Sequence, residues 1–202
     1  MTEQLTTWRG EFGTAYTDRN TADWRTLAPA FERMLGGLDI QRALEIGCNR
    51  GHNLVALAEG VGIPEVIGVE PNPYALSLAR AASPLIGTIG GHAEDLPFKD
   101  GWFDVAFTCG VLIHIPPVSL DQALREIHRV SRRFVLAIEY YAERETCIQY
   151  RGHGELLWKR NFAEEYRRRF PGLRVVRDGY WSEADGFDRS HWWLMEKASP
   201  SQ

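Results

Sequence analysis

The sequence predicts one α/β domain: an open, doubly wound, mostly parallel sheet with helices on both faces. Ala43–Leu54 runs from an apolar segment ending in Glu45, through small residues with Gly47 and Gly51, into helix-forming Leu54–Ala58. That order is strand, tight turn, helix. Val66–Glu70 repeats an apolar strand closed by an acid, and Pro71-Asn72-Pro73 breaks it before a helical stretch, Tyr74–Arg80. Further short apolar runs alternate with helical patterns as far as Ile138, as parallel strands joined by crossover helices do. In such a sheet the ligand crevice lies beyond the carboxyl ends of the strands.

Composition narrows the class. A chain of 202 residues, 44% of them hydrophobic, fills one core and is small for two domains. A net charge of -4 gives no basic footprint for nucleic acid. Cys48, Cys109 and Cys147 are too few and too widely spaced for a disulfide framework or a Cys-x-x-Cys metal site, and read as reduced packing thiols. The N-terminus lacks a signal-peptide pattern, and no apolar run approaches the roughly 20 residues of a membrane helix. The expectation is a cytoplasmic protein with no metal, nucleic-acid or membrane partner.

In chain order, residues 1–40 carry Trp8, Phe12 and Tyr16 at spacings of four, one face of a helix that Gly10 and Gly13 weaken. This face either packs on the sheet or forms a lid, with Tyr16, Arg19 and Asn20 reaching the ligand. Gly36-Gly37 ends the next helix. In the first turn Asn49 stands between Gly47 and Gly51, and the dinucleotide fingerprint Gly-x-Gly-x-x-Gly is absent. Asn tolerates left-handed backbone angles. Glu45 would repel a pyrophosphate and pair with an ammonium group. Glu70, 25 residues beyond Glu45, is placed to accept both hydroxyls of a ribose.

Leu85–Gly90 reads as the third strand, and Gly91–Phe98 as a loop. Asp100-Gly101 is a turn before strand four, Trp102–Thr108, which leads into Cys109–Ile115. Ser119 caps a helix through about Val130. Strand five, Phe134–Ile138, ends in Glu139-Tyr140-Tyr141, residues that face the ligand side by the crevice rule. Alternatively the tyrosines are an apolar wall and Glu139 pairs with an arginine. Tyr150–Phe162 reads as a binding loop and Ala163–Phe170 as a helix. Arg174–Trp181 and His191–Lys197 read as strands. The acidic Glu183–Asp188 between them is a hairpin loop without Ca²⁺-loop spacing.

Together Glu45, the Gly47-x-Asn49-x-Gly51 turn and Glu70 resemble the first motifs of S-adenosylmethionine-dependent class I methyltransferases. Gly91–Phe98 resembles the loop bordering the adenine ring in that family. Many relatives have aspartate where this chain has His92, which leaves Glu94 or Asp95 to contact the adenine amino group or to be solvated loop acids. His114 resembles a histidine found there in members of widely different substrates, which implies an architectural or cofactor-contact role.

The resemblance narrows to the methylase family associated with pseudaminic acid biosynthesis. It rests on Trp8-x-x-Glu11-Phe12-Gly13-x-x-Tyr16-x-x-Arg19-Asn20, the Asn49-bearing glycine turn, Gly110–Ile115, Glu139-Tyr140-Tyr141, Tyr150–His153 and Lys159–Ala163. It implies a Rossmann-like, seven-stranded sheet of order 3-2-1-4-5-7-6 with the last strand antiparallel. Residues 1–40 would be a helical lid in the same domain, and 41–198 the methyltransferase domain. S-adenosylmethionine, leaving as S-adenosylhomocysteine, would be held by Tyr16, Arg19, Asn20, Glu45, Gly47, Asn49, Gly51, Asn53, Glu70, Pro71, Asn72, Ala93, Glu94, Asp95, Cys109, Gly110 and His114.

The implied acceptor is small, polar and sugar-like, methylated on oxygen or nitrogen. For a hydroxyl, His153, Glu139 or Tyr141 would serve as base. For an amine, as in an amino acid or amino sugar, Glu139 would hold the ammonium. A cofactor-binding subunit that regulates a partner is the non-enzymatic alternative. A nicotinamide enzyme is disfavoured by the missing third glycine and by Glu45.

Overall fold

The computed structural model describes residues 2–151 and 153–198, except for the side chains of His153 and Glu155. Five parallel strands, β1 (Arg42–Ile46), β2 (Glu65–Glu70), β3 (Ile86–Gly90), β4 (Phe103–Cys109) and β5 (Ser131–Glu139), carry the sheet. Beyond a two-stranded hairpin, β6 (Thr146–Tyr150) and β7 (His153–Lys159), the chain returns as β8 (Leu173–Trp181) and β9 (Ser190–Lys197). The sheet order is β3-β2-β1-β4-β5-β9-β8, with β9 antiparallel to both neighbours. Counted by sheet strands alone this is 3-2-1-4-5-7-6, the order the resemblance implies.

The crossover from β1 runs to one side, toward β2, whereas β4 pairs with its other edge. The order therefore reverses at the carboxyl ends of β1 and β4, where such sheets open a crevice. Buried strands read as continuous apolar runs because both faces are covered, yet their period of two still divides the core. Val105 and Phe107 of β4, with Phe134, Leu136 and Ile138 of β5, pack on one face. There they meet Leu27, Phe31 and Met34 of α3 (Trp24–Leu35). Ala106 and Val135 point to the other face, where they meet Leu120, Leu124 and Ile127 of α6. Phe162 and Tyr166 of α7 pack into this second core.

Several local expectations change. The aromatic N-terminal helix breaks at Gly10 into α1 (Glu3–Arg9) and α2 (Glu11–Arg19), and Trp8 meets the rings of Phe12 and Tyr16 across the break, at 5.2 and 5.3 Å. Close packing of the two helices requires Gly13: a Cβ there would lie 1.8 Å from the Trp8 carbonyl oxygen. After the first turn, α4 (His52–Val55) passes into a π-helix over Ala56–Val61, and α5 (Pro73–Ala82) follows β2. The sixth helix, α6, spans Pro117–Val130 with Pro116 as its N-cap, so Ser119 lies inside it and is not the cap. Proline fits that first turn because the N–H it lacks has no partner there anyway.

Tyr150–Phe162 is mostly strand rather than loop: it holds the end of β6, all of β7, and the start of α7 (Phe162–Arg169). Cys48 is buried as a packing thiol, whereas Cys147 is exposed on β6. Among the described residues no helix is long and apolar enough to cross a membrane.

Candidate functional site

A cavity of about 510 Å³ opens at the carboxyl ends of β1, β2 and β4 and is lined from above by Gln4, Trp8 and Tyr16 of α1 and α2. The turn after β1 forms its floor. Gly47, Asn49 and Gly51 all have positive φ (74°, 47° and 81°), so Asn49 does adopt the left-handed angles its residue type tolerates. Gly47 and Cys48 N–H groups both donate to the Val69 carbonyl, at 2.8 and 3.1 Å, which fixes the turn to β2.

Glu70 joins that turn to the next. One carboxylate oxygen accepts from the Asn49 N–H and the other from the Asn72 N–H, both at 2.8 Å. Burial raises its pKa to about 6 against the lowering effect of those amides. Asn72 in turn caps α5 through Tyr74 and Ala75 and donates to the Trp8 carbonyl, at 3.0 Å, tying the helical segment to the sheet.

Glu45 is 1% exposed. Its Oε1 accepts from Asn53 Nδ2 at 2.6 Å, while Oε2 is buried with no hydrogen-bond partner among the described residues. Burial pushes its pKa up to about 8, with Asn53 opposing and Glu70 reinforcing the shift. A carboxylate in this condition is stabilised by a cation in the cavity it lines.

Most of the expected contact residues do line this one cavity: Tyr16, Arg19, Asn20, Glu45, Gly47, Asn49, Asn53, Glu70, Pro71, Asn72, Ala93, Glu94, Cys109, Gly110 and His114. Gly51 and Asp95 do not. A Cβ on Gly51 would meet Ile86 of β3 at 3.1 Å and Ala79 of α5 at 3.4 Å, and Asp95 is exposed. Glu94 reaches back to His92 Nδ1 at 2.9 Å.

His114 is 8% exposed, and its Nδ1 lies 2.6 Å from the Leu156 carbonyl oxygen. A carbonyl only accepts, so Nδ1 carries the proton. Burial lowers the pKa to about 4, and the imidazole is neutral with Nε2 unprotonated. Its ring packs against Trp8 (4.6 Å) and Tyr150 (5.3 Å), and its carbonyl accepts from Gln4. This one residue links α1, the hairpin and the turn after β4.

The catalytic expectations change most. Glu139 does not line the cavity: it is fully buried and accepts the N–H groups of Val111, Leu112 and Ile113 at 3.2, 3.0 and 3.3 Å. Nor is it paired with an arginine; Arg160 bonds Glu145 instead and donates to the Leu112 and Ile115 carbonyls. Glu139, whose carboxyl pKa burial pushes up to about 7 against these amides, and Arg160 together hold one turn, the first through the turn's N–H groups and the second through its carbonyls. Tyr141 is 38% exposed beside His191 and does not line the cavity. Its neighbour Tyr140 does, and donates to Asp188 Oδ2 at 3.2 Å. The His153 side chain lies outside the described residues.

Residues 44–134 match the family model described as Methyltransferase domain. An uncharacterized methyltransferase of Synechocystis sp. is 34% identical over 90 residues, 45% of this chain and 42% of that protein. A tRNA U34 carboxymethyltransferase of Syntrophotalea carbinolica is 31% identical over 120 residues, 56% of this chain and 35% of that one. The chain thus spans less than half the length of either relative. Among solved structures, Burkholderia thailandensis 1,6-didemethyltoxoflavin-N1-methyltransferase, with bound 1,6-didemethyltoxoflavin and S-adenosylhomocysteine, superposes with a TM-score of 0.74. The superposition covers 98% of this chain and 90% of that one at 18% identity. The fold is that of the class I methyltransferases.

Proposed function

We propose that this protein is an S-adenosylmethionine-dependent methyltransferase acting on a small polar acceptor at oxygen or nitrogen. The observation that carries the reading is the unpartnered, buried Oε2 of Glu45 beside a left-handed turn. That oxygen suits the ammonium of an amino-acid moiety, and the Glu70 carboxylate at the end of the neighbouring strand suits a ribose. The cofactor would lie with its methionine end on Glu45, Gly47 and Asn53, its ribose on Glu70 and Asn72, and its adenine beside Ala93 and Glu94.

When bound, S-adenosylmethionine supplies an electrophilic methyl group on a sulfonium centre. The chain's own contribution is to align the acceptor and exclude water. Trp8, Tyr16, His114, Tyr140 and Tyr150 wall the remaining cavity for that purpose. If the acceptor is a hydroxyl, its proton goes to a neutral base. His153 at the start of β7 would be that base, since burial makes His114, with its pKa at about 4, too weak a base, and His153→Ala should then lower turnover by roughly 10² to 10⁴.

The resemblance to the pseudaminic-acid-associated methylases supports a sugar-like acceptor. The relative named for tRNA U34 supports a nucleic-acid one, against which the net charge of -4 weighs. Incubating the purified chain with labelled cofactor and, separately, sugars, amino acids and tRNA tests both. Gain of one methyl mass on a small molecule is the expected result. Methylation of tRNA alone would overturn the small-molecule reading, and cofactor binding with no turnover on any acceptor would leave a regulatory subunit.

A further inference from the structure

We infer that Asp188, held by Tyr140, is the recognition group for an amine on the acceptor; the inference rests on the methyltransferase reading above. Asp188 lines the cavity from the β8–β9 connection, across from the strand-five end that carries Tyr140. The two residues are 48 apart in sequence and meet because β9 pairs with β5, Glu139 opposite His191. Tyr140 donates to Oδ2; Oδ1 has no hydrogen bond among the described residues. Two more phenols, Tyr16 and Tyr150, line the same cavity.

The loop packs tightly just before Asp188, which is itself exposed at the cavity rim with Oδ1 open to a ligand. Ser182 and Asp185 form a reciprocal capping box, and Gly186 turns left-handed at φ 84°. Phe187, 5% exposed, wedges between Phe31 and Trp181. The adjacent cation, Arg189, pairs with Glu183 at 3.2 Å and not with Asp188. Of the other cations nearby, Arg50 donates to the Thr17 carbonyl, Arg151 lies over the Tyr150 ring, Lys159 lies over the Tyr140 ring at 5.6 Å and Arg19 lines the cavity; none of them is bonded to Asp188 among the described residues. A free carboxylate edge beside Tyr140 favours a protonated amine through charge and a charge-assisted hydrogen bond.

The test uses the full chain loaded with S-adenosylhomocysteine and matched probes: glucosamine against glucose, and tyramine against 2-(4-hydroxyphenyl)ethanol. By ligand-observed NMR titration, at least one amine should bind ~10-fold or more tightly than its neutral partner, the scale of a hydrogen bond to a charged group. Added NaCl should erode the preference. Asp188→Asn should abolish it, whereas Tyr140→Phe, which keeps the charge, should weaken it without removing it. No preference in the wild type, binding of neither probe set, or a preference that survives Asp188→Asn overturns the inference. Calorimetry with S-adenosylmethionine separates the two levels. A wild type that binds it but shows no amine preference refutes only the Asp188 site, and one that does not bind it refutes the methyltransferase reading.

Discussion

Glu45→Gln should act in opposite directions on stability and on cofactor affinity. The folded-state pKa of Glu45 is about 8 against an ordinary 4.5, because burial disfavours the carboxylate. The native state therefore holds a proton there that the unfolded chain has lost, and stability falls as pH rises from about 4.5 to about 8. At about 1.4 kcal/mol per pKa unit the shift corresponds to at most roughly 4 to 5 kcal/mol, and relaxation of a site that borders a cavity reduces this to about half, ~2 kcal/mol.

Glutamine keeps the shape and the Asn53 contact and has no charge to bury. In thermal unfolding between pH 5 and 9 without ligand, the variant should match the wild type near pH 5. It should exceed the wild type by several degrees near pH 9, given about 2 to 4 °C per kcal/mol for a chain of this size. In calorimetry the same variant should bind S-adenosylmethionine about 10 to 100-fold more weakly, having lost a charge-assisted hydrogen bond. The wild type near pH 7 should release protons on binding, because an ammonium beside Oε2 drives the carboxyl to ionise. Unchanged affinity in the variant, together with parallel pH–stability curves, would refute the role of Glu45.

Three other outcomes follow from the same geometry. Glu70→Ala should weaken cofactor binding by ~1.5 to 3 kcal/mol in calorimetry, and also loosen the Asn49 and Asn72 turns it bridges. Glu139→Gln should cost about 1 to 3 kcal/mol in denaturant unfolding, since its amide N–H₂ would oppose one of the Val111–Ile113 donors, with no selective change in acceptor KM. Hydrogen exchange over α1 and α2 should slow when S-adenosylmethionine is added if residues 1–25 close over it; equal exchange would leave them a packing role only.

Much of the fold was legible in the chain. Glu45 and Glu70 each close a buried run at a strand's carboxyl end, and Gly47, Asn49 and Gly51 announce a left-handed turn, because these signals are local: a period of two, a residue tolerant of positive φ, a proline stop. The β6–β7 hairpin was not legible. Among the described residues its strands pair only with each other, at Thr146 opposite Lys159, and Gly154 and Glu155 break the alternation in β7.

The direction of side chains at the strand ends was equally hidden. That Glu139 ends β5 follows from sequence; that it turns toward three amides instead of the cavity depends on the turn after β4, 26 to 28 residues away. Tyr140 and Asp188 acquire their partnership only once β9 lies antiparallel to β5. Periodicity specifies which face of an element is apolar, whereas a polar side chain at an element's end goes to whichever unpaired donors the neighbouring strands bring within reach, and that is set by register across the sheet.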